Sequence, residues 1–124
     1  MTVCCALYGY DDAAPAAWTQ EMRRAAKEHV CCECGGAIKP GERYEYTRGL
    51  WDDEWSTFRT CALCREIRDH FACDGYAYRE LWEQLEENLF PDMTAGGPCM
   101  EGLSPRAKER LLERCLAWRM EEAQ

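Results

Sequence analysis

Cys31-x-x-Cys34 and Cys61-x-x-Cys64 are the residues of this chain best placed to do chemistry. Two thiolates separated by two residues close on one ion when the backbone between them turns tightly. Gly35 and Gly36 follow the first pair and admit the positive φ such a turn needs. The second pair reads into a helix, whose free N–H groups and positive dipole end favour thiolate over thiol. Four thiolates around Zn²⁺ close a tetrahedral shell with no position left for water or substrate, which is the arrangement of structural zinc. Cys31, Cys34, Cys61 and Cys64 are therefore the expected zinc ligands. Cys32 competes with its neighbours, but adjacent side chains point in different directions and the Cys31/Cys34 spacing fits better. Buried or disulfide-bonded cysteines are the alternative, and the matched pairs with their glycines favour metal.

The elements that must position these thiols can be read around them. The 26 residues between the pairs suffice for a hairpin. Tyr44 and Tyr46 alternate with charged residues over 42–48, a loop runs from Gly49 through Asp52 and Asp53, and 55–60 returns as the partner strand. Trp55 and Phe58 are expected to pack into the small core, and Trp51 either packs or forms part of a recognition surface. After Cys64 a helix should run to about Ala72, with Ile67 and Phe71 buried and Arg65, Arg68 and Asp69 outside.

On the N-terminal side, Trp18, Met22, Ala25, Ala26 and His29 recur at helical spacing after Pro15, so residues 13–30 are expected as a helix. Val3, Leu7, Tyr8 and Tyr10 suggest a short strand or an extended cover over the core. On the C-terminal side, residues 76–122 read as a helical pair. Tyr78, Leu81, Trp82, Leu85 and Leu89 form one apolar stripe with Glu80, Glu83, Glu86 and Glu87 opposite. Ser104-Pro105 caps and opens the second helix, where Leu111, Cys115 and Trp118 mark the buried track. Its arginines are expected to pair with the glutamate-rich helix.

The run Cys31-x-x-Cys34-Gly35-Gly36-x-Ile38-x-x-Gly41-Glu42-x-Tyr44, with Cys61-x-x-Cys64 entering a helix, resembles a treble-clef zinc finger of LIM-like or zinc-ribbon-like type, as found in small bacteriophage proteins. The resemblance covers about a quarter to a third of the chain and implies a metal scaffold rather than an activity. The expected fold class is α+β, a single domain over 1–124. A treble-clef core at 31–73, made of a β-hairpin and a helix, would carry packed α-helices at the N- and C-terminal sides.

Composition narrows the function. The formal charge is −8, and four thiolates with one Zn²⁺ make it about −10. Such a charge opposes non-specific nucleic-acid binding and suits a basic protein patch, including one that normally holds nucleic acid. No apolar run approaches the ~20 residues of a membrane span. The first ten residues lack the pattern of a secretory signal, so a reducing cytoplasm is expected. No catalytic residue is expected either. The chain has two histidines, His29 and His70, neither of them on the hairpin. His70 reads as a structural histidine, and Cys4 and Cys5 as buried free thiols. A second metal site drawn from Cys4, Cys5, Cys32, Cys73, Cys99 or His70 remains the alternative. The leading expectation is a non-enzymatic, zinc-stabilised acidic module that binds a protein, such as a phage-type inhibitor of a host enzyme or defence complex. A nucleic-acid-binding regulator using Arg23, Arg24, Lys27, Arg65 and Arg68 is the alternative, with a treble-clef nuclease behind it.

Overall fold

The computed structural model describes residues 5–9, 15–73, 75–93 and 97–123. The expectations for Val3, Cys4, Tyr10 and residues 13 and 14 fall outside them. Strands β4 (Arg43–Trp51) and β5 (Glu54–Cys61) are joined by Asp52 and Asp53, at φ of 51° and 64°. A two-residue turn with both residues left-handed matches the twist of paired strands, and aspartate tolerates that conformation better than most residues. The hairpin is therefore longer than expected: pairing continues to Trp51 opposite Glu54. Gly49 opens no loop. The Trp51 ring lies across it, and a Cβ at this position would collide with that ring.

The expected N-terminal helix is absent. Residues Ala17–Arg24 form strand β1, antiparallel to β4, and the sheet order is β1-β4-β5. Trp18 and Met22 satisfy a helical repeat and a two-residue repeat equally well, being four apart. Pairing with the exposed edge of β4 decides between them, a tertiary contribution that overrides the local helix preference. Beyond β1, Ala25 is buried, its N–H donating to Glu42 O and its own carbonyl accepting from Gly41. A second small ladder pairs β2 (His29–Val30) with β3 (Ala37–Ile38) around the first cysteine pair.

Helix α1 (Ala62–Phe71) follows β5 directly and buries Ile67 and Phe71 as expected. Arg68 does not face solvent. It lies 3% exposed against Glu45, which is 2% exposed, with Nη1 and Nη2 donating to the two carboxylate oxygens at 2.5 and 2.8 Å. Glu45 also accepts from Arg65 Nε at 3.1 Å and Gln20 Nε2 at 3.0 Å. This cluster fastens α1 across one face of the sheet.

Helix α2 (Leu81–Asn88) starts later than the expected residue 76, because Arg79 sits at φ 69° and breaks the helical path. Tyr78 instead stacks on Phe58 with centroids 4.3 Å apart, and Trp51 packs edge-on against both. Residues 5–9 lie extended across α2. Tyr8 N–H donates to Gln84 Oε1, Gln84 Nε2 returns a bond to Tyr8 O, and Asn88 donates to Ala6 O. Leu7, 2% exposed, is the cover over the core that the sequence suggests.

Helix α3 (Pro105–Glu122) begins as expected, Ser104 Oγ accepting from Ala107 N. Leu111 and Cys115 are buried. Its basic residues do not form salt bridges with the glutamates of α2. Arg114 lies over the Trp82 ring at 4.2 Å, and Arg119 donates to the carbonyls of Phe90 and Met93. Cys5 is bonded to Cys73 rather than free, and Cys99 is also disulfide-bonded. A reducing compartment therefore does not follow from the cysteine pattern. Among the described residues no helix is long and apolar enough to cross a membrane.

Glu45→Ala takes the buried counter-charge away from Arg68, leaving it the half-exposed Asp69, 2.9 Å from Nη2, and should destabilise the fold by about 3 kcal/mol. Replacing both residues by leucine and methionine should cost markedly less. Urea titrations of the three proteins check this; a single substitution as mild as the double one would refute the role given to the pair.

Candidate metal centre

The two cysteine pairs arrive from separate elements. The first sits in the tight turn between β2 and β3, held by Cys31 N–H to Gly36 O at 2.9 Å and Gly35 N–H to Cys31 O at 3.0 Å. Gly35 takes φ 73°, the left-handed conformation that the sequence anticipates. Gly36 has a different use: its N–H donates to Cys34 Sγ at 3.4 Å. The second pair straddles the junction of β5 and α1. Cys61 is the N-cap of α1, and its Sγ accepts from Cys64 N at 3.4 Å.

The four Sγ atoms of Cys31, Cys34, Cys61 and Cys64 all lie within 4.8 Å of one another. Tetrahedral ligation at a Zn–S distance of about 2.3 Å requires sulfurs about 3.8 Å apart, so small side-chain adjustments bring the set onto one ion. Backbone amides already point at the sulfurs. Cys31 Sγ accepts from Glu33 N at 3.4 Å and from Cys61 N at 3.3 Å, the second bond joining the turn to the hairpin. Cys31 and Cys64 are buried, and Cys34 and Cys61 half-buried. The residues present fit a soft divalent metal: four sulfurs, with no carboxylate or imidazole in the group.

Electrostatics make the same demand. The thiol of Cys34 is held far below its ordinary range by the neighbouring thiols of Cys31, Cys61 and Cys64. Those of Cys61 and Cys64 are pushed far above it, first by Cys31 and Cys34. Four sulfurs this close cannot all carry charge unless a cation neutralises them.

Cys32 stands outside the group. Its Sγ is 3.5 Å from Thr60 Oγ1, and burial pushes its thiol up to about 12. His70 is also remote from the sulfurs. Its Nε2 is 2.8 Å from Cys99 O and its ring meets Phe71 edge-on, the structural role expected of it. With Cys5, Cys73 and Cys99 in disulfides, the described residues contain no second cluster of this kind.

Sequence reasoning missed Glu33. Lying inside the turn, it accepts from Arg79 N at 2.9 Å and Leu81 N at 3.2 Å, satisfying free amides at the start of α2. Burial raises its carboxyl above the usual range. Only its position between two ligands hinted at a fixed role, since its acceptors' partners lie 46 and 48 residues away.

Cys64→Ser should remove bound metal and the cooperative unfolding transition together, whereas Cys32→Ser should keep both. Native mass spectrometry and thermal melts with and without a chelator read the two effects, and metal retained by Cys64→Ser would refute this ligand set. Comparison of the chain with protein-family models, curated proteins and solved structures gave no significant match.

Proposed function

We propose that the chain is a non-enzymatic binding module in which a zinc ion is structural. The observation that carries this reading is the closed sulfur group of Cys31, Cys34, Cys61 and Cys64. Four thiolates complete the preferred coordination of zinc and leave no site for a reacting water. Zinc would tie the β2–β3 turn to the start of α1. The order of turn, hairpin and helix supports the finer reading as a treble-clef finger, with β1, α2 and α3 as additions to it.

The partner surface in this reading is the outer side of α2. Glu83, Glu86 and Glu87 are exposed there and enter no salt bridge with another described residue. Three unneutralised carboxylates on one rigid helix suit a basic protein patch, accelerating encounter and disfavouring acidic partners. A phage-type inhibitor covering a nucleic-acid channel of a host enzyme is the narrower form of this proposal, supported by the resemblance and this acidity.

Affinity capture with the wild-type chain and with Glu83→Lys/Glu86→Lys/Glu87→Lys tests the surface. A specific partner should be lost from the triple variant, while zinc content stays at one per chain. A partner captured equally by both proteins would remove the acidic face from the proposal. Tetrahedral cobalt(II)–thiolate absorption after metal exchange would support the four-sulfur site independently.

A further inference from the structure

The two faces of the three-stranded sheet differ in character. Side chains alternate along β4, so Glu45 and Thr47 face α1 and Tyr78, while Tyr46 and Arg48 face the other way. Residues directly opposite on neighbouring strands share a face. Tyr46 is opposite Glu21 of β1 and Arg59 of β5; Tyr44 is opposite Arg23, and Leu50 opposite Trp55. This second face therefore carries Arg23, Arg48 and Arg59 beside Tyr46 and Trp55, with Glu21 as its acidic residue among these strand positions.

These side chains are layered. The Arg23 guanidinium lies 3.6 Å from the Tyr46 ring centroid, Arg59 5.5 Å from the same centroid, and Arg48 4.6 Å from that of Trp55. Trp55 is 55% exposed, contrary to the packed position expected of it. Arg23 is paired with Glu21, but Arg48 and Arg59 make no salt bridge with a described residue, and the buried Nε of Arg59 has no acceptor. Arg65 and Arg68, which the sequence suggested for a basic surface, are instead engaged by Glu45 on the opposite face. Tyr44, at one end of this face, is buried against His29, and beyond it a chain with formal charge −8 keeps a cationic, aromatic strip.

We propose that this face binds single-stranded nucleic acid. Bases stack on Trp55 and on the Tyr46–arginine layer, and phosphates pair with Arg23, Arg48 and Arg59. Flat rings interleaved with guanidinium groups match a ligand that alternates bases with phosphates, whereas an acidic peptide has no use for the rings. Arg59 and Trp55 stand four residues apart on β5, about 13 Å along the strand, so the stacking platforms and the arginines are spread over several nucleotides. Rings that stack on base faces need bases released from a duplex stack, which favours single strands. This surface is distinct from the acidic side of α2, so the inference goes beyond the module proposed above.

Fluorescence anisotropy of the zinc-loaded full chain with labelled oligothymidylate, oligouridylate and a duplex control, starting at about 20 mM salt, tests it. Single strands should bind better than duplex, and affinity should fall with salt at a logarithmic slope of about −2 for three phosphate contacts. Trp55→Ala should weaken binding about tenfold through lost stacking. Arg48→Glu should weaken it at least as much, and Glu21→Gln should strengthen it by freeing Arg23. Native mass spectra of each variant should still show bound zinc, which separates failure of this surface from failure of the scaffold. Absence of single-strand binding at low salt would overturn the proposal, as would binding indifferent to both Trp55→Ala and Arg48→Glu. Polyglutamate bound as tightly as the oligonucleotides, and lost with Arg48→Glu but not Trp55→Ala, would instead make the strip an acidic-protein site and equally overturn it.

Discussion

Four sulfur atoms held within 4.8 Å of one another are the constraint on which the rest of this structure depends. Thiols so close depress the ionisation of some members and raise that of others, and a divalent cation removes the conflict. The sulfurs also lie at the meeting point of two otherwise separate pieces of chain. One is the turn between two very short strands, the other the point where β5 passes into α1. A two-residue ladder such as β2–β3 has little stability of its own. Its geometry is inherited from the sulfur group and from the amides directed at it.

From that junction the order spreads through polar ties rather than through the apolar core alone. Glu33 carries it to the start of α2, and the pairing of Arg68 with Glu45 carries it from α1 to the centre of the sheet. Glu66 extends it to the cap of α3 by accepting from the N–H and hydroxyl of Ser104. The tie between Arg68 and Glu45 satisfies buried groups that would be expensive to leave unpaired, and the part-buried ties of Glu33 and Glu66 fix the starts of α2 and α3 by meeting free amides there. The disulfide between Cys5 and Cys73 joins the extended N-terminal segment to the region just after α1, closing a sequence separation of 68 residues. The chain thus combines thiolates suited to metal with oxidised pairs elsewhere, two uses of cysteine that require different chemistry.

The charge map follows from the same ties. Because Glu45 engages Arg65 and Arg68 on the inner side of the sheet, the arginines layered with aromatic rings along the strands are Arg23, Arg48 and Arg59 on the outer side. Because α3 directs Arg114 to an aromatic ring and Arg119 to carbonyls, the glutamates of α2 keep their charge facing solvent. An acidic helix and a cationic sheet face can therefore coexist in one small protein, a division that the net charge conceals.

By itself the sequence determined the features set by residues close together in the chain. Cys-x-x-Cys pairs with adjacent glycine, the Ser-Pro start of α3 and the apolar spacing of α1 specify local geometry through backbone freedom, capping and periodicity, and these were legible. The tertiary structure alone decided the rest. Residues 17–24 became a strand because β4 offered an edge, although their spacing also suited a helix. Arg68 turned inward because Glu45 waited on the facing strand, and Trp55 stayed at the surface because no described helix packs on that side of the sheet. In each case the deciding partner lies more than twenty residues away or on another element, and local spacing carries no information about which distant group will satisfy a charge, a free strand edge or an aromatic face.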